Sequence, residues 1–298
     1  EIRLSLVGSE MCIRDRYTVA DGMRDGNVLG FDSVPQPTYK DKDLRKAVAL
    51  EKAKAQDETE VFANDSKKKI YMHWMYDVPM GEQLDDDGDS LESIEGCLTD
   101  AQYNRDEHRK AVIDDILDNW VSQSHNGKFH AILATSSIPE AIKYYKLFAQ
   151  RDCGLKTTAV FDPSDGNNES SIEKIDGIAQ MLEDYNSLFG TCFNISGYAS
   201  FKRDVCARLA HKTPYTAVEN EPSKCLDILI VVDQMLTGYD SKWLNTLYMD
   251  KFYKWSNIEM IIQAFSRTNR VFNDDKPHGI IRYYLSLIHI SEPTRLRR

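Results

Sequence analysis

The sequence has no paired-cysteine framework. Its six cysteines, Cys12, Cys97, Cys153, Cys192, Cys206 and Cys225, stand at irregular spacing, with no C-x-x-C and no zinc-site pattern. They fit buried thiols in a reducing, cytoplasmic compartment. No run of 18 or more apolar residues occurs, so no membrane-spanning helix is expected. Positive charge is in short supply: 37 Lys+Arg face 47 Asp+Glu, for a net charge of −10. That excludes a protein basic all over, built to coat nucleic acid, but leaves room for a local basic groove on an acidic body. Two phosphate-binding signatures are also missing, G-x-x-x-x-G-K-[ST] and G-x-G-x-x-G. Without the first, an acid at a strand end such as Asp233 has no phosphate loop beside which to hold Mg²⁺. Without the second, a Rossmann-like cofactor enzyme has no pyrophosphate cradle.

What is present suits a folded body. The chain has 298 residues, 42% of them hydrophobic, enough for one large domain or two ordinary ones. The two ends stand apart. Residues 1–16 (EIRLSLVGSEMCIRDR) and 285–298 (LSLIHISEPTRLRR) resemble translated sequencing-adapter peptides. Leu4 to Val7 is too short for the apolar core of a signal peptide, and arginines follow it. The body is therefore taken as residues 17–284, with the natural chain expected to continue at both ends.

Along that body, residues 28–31 read as a short strand, and Pro35 and Pro37 break the chain. Residues 43–57 form an exposed helix, 80–100 an acidic loop, and 103–123 a long amphipathic helix carrying Val112, Ile113, Ile116, Leu117, Trp120 and Val121. From Lys128 the pattern changes. Apolar runs of strand length at 129–134, 157–161, 226–232, 244–249 and 279–283 alternate with helical stretches at 139–150, 172–189, 201–211 and 257–268; residues 162–171 read as a loop. This is the pattern of an α/β protein, a mostly parallel sheet flanked by helices. Ligands in such sheets sit at the carboxyl ends of the strands, here 135–137, Asp162, 233–240 and 250–251.

Most polar clusters have plain explanations. Asp106-Glu107-His108-Arg109 has the wrong order for a D-E-x-H box and reads as a solvated helix face. Ser136 and Ser137 fit helix capping, although amide groups at the same helix start can also receive a DNA phosphate. Tyr144, Tyr145, Trp74 and Tyr76 read as packing residues, and His130 and His211 carry no ligand pattern. Lys202, Arg203, His211 and Lys212 give the stretch before the third strand a basic flavour, as phosphate contacts or as a solvated face. Arg267 and Arg270, three residues apart, share a helix face with Gln263. They are either cations favoured by a helix C-terminus or a pair that neutralises charge on a phosphate. In the loop Thr237-Gly238-Tyr239-Asp240, Gly238 makes either an ordinary turn or a close backbone approach to a ligand.

Three segments decide between these. ILIVVDQMLTGYD (228–240), LNTLYMDK (244–251) and QAFSRTNR (263–270) resemble motifs V and VI of superfamily 2 helicases. More narrowly, with VLGF (28–31), KDKDLRKAVALEKAKA (40–55), SHNGKFHAILATSSIPEA (124–141) and KPHGIIRYY (276–284), they resemble the R subunit of type I restriction endonucleases. The resemblance implies a RecA-like second motor domain at 128–284, preceded at 17–127 by a largely helical linker. It implies ATP and Mg²⁺ bound mainly by a first motor domain absent from this chain, and double-stranded DNA as the track. Methyltransferase (M) and specificity (S) subunits, and the nuclease domain of the same subunit, are the implied partners. By the same resemblance Arg270 is the arginine finger and Arg267 its companion phosphate contact. Gln263, Gly238 and Asp240 lie toward ATP; Thr237, Ser136 and Ser137 lie toward DNA. Tyr239 stands where a phenylalanine is common. Other readings are another superfamily 2 translocase of the type III restriction or chromatin kind, and a free-standing, non-catalytic nucleic-acid-binding module.

Overall fold

A computed structural model describes residues 19–36, 38, 40–80, 91–94, 97, 106–151, 153–161, 171–232, 239–251 and 263–284. Its centre is a six-stranded sheet in the order β1-β6-β5-β2-β4-β3, every neighbouring pair parallel. The strands are β1 (Phe31–Pro35), β2 (His130–Thr135), β3 (Thr157–Val160), β4 (Ile228–Val231), β5 (Leu244–Asp250) and β6 (Gly279–Tyr283). Every residue of β2, β4 and β5 is buried, as expected of central strands covered on both faces. This is the α/β class, a parallel sheet flanked by helices, that the alternating pattern predicts. After β1 at one edge, the chain enters the middle at β2, winds outward to β3, returns to β4, then crosses β2 to lay down β5 and β6 on the other side. Helices α5 (Asp106–Gln123), α6 (Ile138–Arg151), α7 (Ser171–Phe189) and α8 (Tyr198–Leu209) cover it. None of the described helices is long and apolar enough to cross a membrane.

The stretch ahead of Lys128 is only partly separate from this body. Helices α2 (Asp41–Lys52), α3 (Glu58–Phe62) and α4 (Asp65–Tyr76) gather their own small core of Val48, Ala49, Val61, Tyr71, Trp74, Met75, Val78 and Ile94. Asp57 caps α3 by accepting from Glu60 N, and Asn64 caps α4 by accepting from Ser66 N and Lys67 N. The short helix α1 (Val19–Arg24) and strand β1 instead join the sheet, β1 pairing with β6 from Phe31↔Gly279 to Pro35↔Tyr283. The strand expected at 28–31 therefore starts at Phe31, and Pro35 ends it rather than breaking the chain before it. Proline is tolerated there because, among the described residues, β1 is an edge strand with no outer neighbour requiring its missing N–H.

Helix α5 corrects a second expectation. Its first turn is not a solvated face: His108 and Arg109 are each only 2% exposed. Arg109 makes a two-pronged pair with Glu140 of α6, Nε to Oε2 at 2.6 Å and Nη2 to Oε1 at 2.8 Å. His108 Nε2 meets Asp250 Oδ1 at the end of β5 at 2.7 Å. Further along, Asp115 accepts from Arg282 Nη2 at 2.5 Å and Nε at 2.9 Å, and from Tyr284 Oη at 2.8 Å. Gln123 accepts from Tyr248 Oη and Asn245 Nδ2, both at 2.7 Å. A helix with this many charged residues still packs flat on β5 and β6 because its buried polar groups have partners there.

Among the packing residues, Trp74, Tyr144 and Tyr145 are buried, whereas Tyr76 is exposed. Residues 81–90, 95–96, 98–100 and 162–170, most of the two segments read as loops, lie outside the described residues, as does 252–262, which includes the first half of the helix expected at 257–268.

Candidate functional site

The arginine segment is a helix end folded onto the start of β6. Residues 263–265 are helical; then Arg267 N donates to Ala264 O (3.1 Å) and Thr268 N to Phe265 O (3.0 Å). These i→i+3 bonds tighten the last turn and end it. Phe265 anchors the helix end, its ring edge-on to Phe31 (5.4 Å) and Tyr283 (5.5 Å). Asn269 O accepts from Leu29 N at 2.7 Å, tying the turn to the chain that leads into β1. Thr268 sits directly on Gly279, where a Cβ would lie 2.3 Å from Thr268 Oγ1 and 2.8 Å from its carbonyl oxygen. Glycine at the start of β6 is what lets the arginine turn come this close.

Arg267 and Arg270 therefore do not share a continuous helix face, since Arg270 lies beyond the turn. They converge nevertheless on one short stretch. Arg267 Nη1 donates to Tyr239 O at 3.2 Å, and Arg270 Nε to Asp240 Oδ1 at 2.7 Å. Burial and the neighbouring Arg270 charge lower the proton affinity of Arg267, with Asp240 opposing. Lys276, buried just behind, is pushed down to about 8 from 10.5, first by burial and then by Arg270. Tyr239 Oη meets His130 Nε2 at 3.0 Å, and His130 is held neutral by burial, by His211 and by Lys276. Arg267 and Lys276, which hold their protons less readily because they are buried and then because Arg270 stands beside them, form an electrostatic environment that an anion relieves. Gln263 is exposed at the start of the segment. Thr237 and Gly238 lie outside the described residues.

The position of this cluster differs from the sequence expectation. Asp240 is reached after β4, but Tyr239 and Asp240 have already returned to the amino edge of the sheet, just before β5. Tyr239 touches His130, the first residue of β2. The arginine turn, ahead of β6, lies on the same edge. Ser136 and Ser137 follow β2 at the opposite, carboxyl edge, so roughly 20 Å of strand separates the two groups. Ser137 Oγ accepts from Glu140 N at 3.4 Å, the helix-capping contact predicted for it.

The carboxyl edge holds a buried polar chain that sequence reasoning missed. Thr38 Oγ1 meets His108 Nδ1 at 2.7 Å, and His108 Nε2 meets Asp250 Oδ1. Tyr144 Oη donates to Asp250 Oδ2 at 2.6 Å. No local spacing announces these contacts, because the partners come from four distant parts of the chain. Among the described residues, no group of three or more His, Cys, Asp or Glu side chains is placed to hold a metal ion.

Comparison with known proteins follows the same lines. A family model described as type I restriction enzyme subunit R domain 3 matches residues 127–286. A type I restriction enzyme endonuclease subunit of Staphylococcus saprophyticus is 32% identical over 280 residues, covering 91% of this chain and 24% of that protein. One from Staphylococcus aureus strain MRSA252 is 29% identical over 279 residues, with coverage of 91% and 24%. The chain thus spans about a quarter of the length of these curated relatives. A crystal structure of the C-terminal part of the Fun30 ATPase domain aligns with 85% of this chain and 63% of its own at 14% identity and a TM-score of 0.32, too low to bear on fold or function.

Proposed function

The chain belongs to the type I restriction enzyme R subunit family, and from that premise we propose that it supplies the second motor domain of such a subunit. In this reading the domain works on double-stranded DNA in ATP-dependent translocation coupled to cleavage. The observation that carries it is the convergence of Arg267 and Arg270 on Tyr239 and Asp240 at one edge of a parallel sheet that lacks a phosphate loop. Cations arranged this way, in a domain with no phosphate cradle of its own, act on a nucleotide held elsewhere. That nucleotide is ATP with Mg²⁺ on the first motor domain. The guanidinium of Arg270, held out by Asp240, swings to the phosphate; Arg267, braced on the Tyr239 carbonyl, lines the same approach. Neutralising charge on the transferring phosphoryl group by an arginine is worth about 10³–10⁵ in rate in other systems.

The carboxyl edge, with Ser136 exposed and Ser137 at the start of α6, is the DNA-facing side in this reading; the family resemblance assigns Thr237 to DNA as well. The family resemblance assigns Gly238 and Gln263 to the nucleotide. The M and S subunits and the nuclease domain of the same subunit complete the machine. The 298-residue chain alone then neither hydrolyses ATP nor cuts DNA, and a measurable ATPase in the purified chain counts against the reading. The direct test is Arg270→Ala in the full-length subunit. It should abolish translocation while leaving ATP binding within about threefold of the parent, since a phosphate contact made in the transition state contributes little to ground-state binding. Surviving translocation refutes the assignment.

A further inference from the structure

We propose that Lys276 is a positioning residue of the arginine site: its ammonium group holds the 240–244 segment where Asp240 presents Arg270. The inference deepens the reading above and rests on it.

Lys276 is 1% exposed, an unusual place for a lysine in a loop that reads DDKP. Its Nζ donates to Leu244 O at 2.6 Å and to Lys242 O at 3.3 Å. Among the described residues no carboxylate forms an ion pair with it. Burying an ammonium against carbonyls alone is costly, so the arrangement calls for a reason beyond packing. Its position supplies one. The two acceptor carbonyls lie two and four residues after Asp240, on the segment that also carries the Tyr239 carbonyl braced by Arg267. Lys276 thus fixes the stretch whose Tyr239 carbonyl Arg267 touches and whose Asp240 side chain Arg270 touches. Charge-assisted bonds of this kind are about twice as strong as neutral ones. The neutral amine still reaches both carbonyls, but holds them less firmly and no longer adds to the positive field beside Arg270.

Among the described residues, the charged and titratable groups around it are few. Arg267 and Arg270 stand on the arginine turn, Asp240 and Lys242 before β5, and His130 at the start of β2. Its own loop adds Asp274, Asp275 and His278; Lys128 holds Asp275 at 2.5 Å, and His278 meets Asp32 at 3.1 Å. Asp240 is engaged by Arg270, and His130 is neutral. The amine therefore titrates at about 8 rather than 10.5, within reach of ordinary assay conditions. An anion arriving at Arg270 stabilises the ammonium, so nucleotide engagement and proton uptake at Lys276 favour one another.

The experiment uses the full-length subunit assembled with its M and S partners on DNA. ATPase kcat/KM is measured from pH 6.5 to 9.5 for the parent, Lys276→Met, Lys276→Arg and Arg270→Ala. The parent should fall by about tenfold as pH rises through about 8, the loss expected when a charge-assisted contact becomes a neutral one. Lys276→Met should stay at the lower value throughout, without that step. Lys276→Arg, which keeps its charge, should lose the step while staying above Lys276→Met at pH 9.5. A parent profile with no step near pH 8 overturns the proposal by itself, whether or not the variants fold. A step that persists in a folded Lys276→Met overturns it equally. Arg270→Ala separates the two layers: if it retains parental activity, the arginine reading fails, and if it is inactive while Lys276→Met matches the parent, only the Lys276 proposal fails.

Discussion

Replacing Gly279 by alanine is the sharpest structural test of the arginine turn. Gly279 does not have a positive φ, so the backbone itself accepts alanine. In unstrained surroundings the change would stabilise the fold by about 0.4–1 kcal/mol, through a less flexible unfolded chain. The surroundings decide otherwise. The new Cβ would stand 2.3 Å from Thr268 Oγ1, 2.6 Å from Thr268 Cβ and 2.8 Å from Thr268 O. Thr268 is fully buried, and its hydroxyl is already bonded to Phe265 O at 2.9 Å. Relief requires the turn to move by roughly an ångström, and overpacking of this kind costs about 1–3 kcal/mol. The net loss of about 1–2 kcal/mol should lower the melting temperature by about 2–8 °C in a chain of this size. Thermal unfolding of the isolated chain measures it. Thr268→Ala in the same background removes the hydroxyl and the γ-methyl but keeps the Cβ and carbonyl clashes, so it should recover less than half of the loss. In the assembled enzyme the shifted turn should cut translocation by about a hundredfold, the scale of an ångström misplacement of a catalytic group. An unchanged or raised melting temperature would refute the close packing of turn and strand on which the site rests.

Other consequences follow from the same chemistry. Glu140→Gln removes the charge of the two-pronged partner of the buried Arg109; it should destabilise the chain by about 3–5 kcal/mol, read by urea denaturation. Arg109→Met should cost less, because Lys143 at 3.0 Å remains beside Glu140, and a smaller loss for Glu140→Gln than for Arg109→Met would contradict the pairing. Stability should rise as pH increases from about 8 toward 10, since folding holds the Lys276 pKa down near 8 while the unfolded chain keeps its lysine protonated to about 10.5. Above pH 10 the trend should reverse, because buried phenols such as Tyr144 and Tyr284 resist an ionisation that the unfolded chain undergoes freely. Below 6.5 it should fall again as pH approaches 4, because His130 and His211 stay neutral in the fold, His211 down to about 4, but protonate when unfolded. Denaturant midpoints across pH 4–11 check all three limbs.

How much of this was legible in the sequence depended on where each residue's partners lie. The five later strands were readable because strands buried on both faces are near-continuous apolar runs. Strand β1 was misplaced by a few residues, because an edge strand alternates weakly and ends in a proline. His108 and Arg109 looked like surface because their partners, Asp250 and Glu140, are 142 and 31 residues away. The arginines were visible through their motif, but not the edge of the sheet on which they gather, since that follows from how far the chain travels back after β4. Lys276 gave no signal: a lysine between two acids and a proline normally faces water.

The pairing of β1 with β6 carries a consequence for how the protein is made. Phe31 meets Gly279 across almost the whole length of the described chain. On a ribosome β1 emerges first and its neighbour last, so the edge of β1 waits uncovered while the rest of the sheet is synthesised. Contacts so distant in sequence form late and slow the search for the native state. Closure of the sheet, and with it the seating of the arginine turn between Leu29 and Gly279, is therefore a finishing event of folding. A subunit interrupted before β6 would carry a four-stranded sheet, with β1 unpaired and its arginine site unformed.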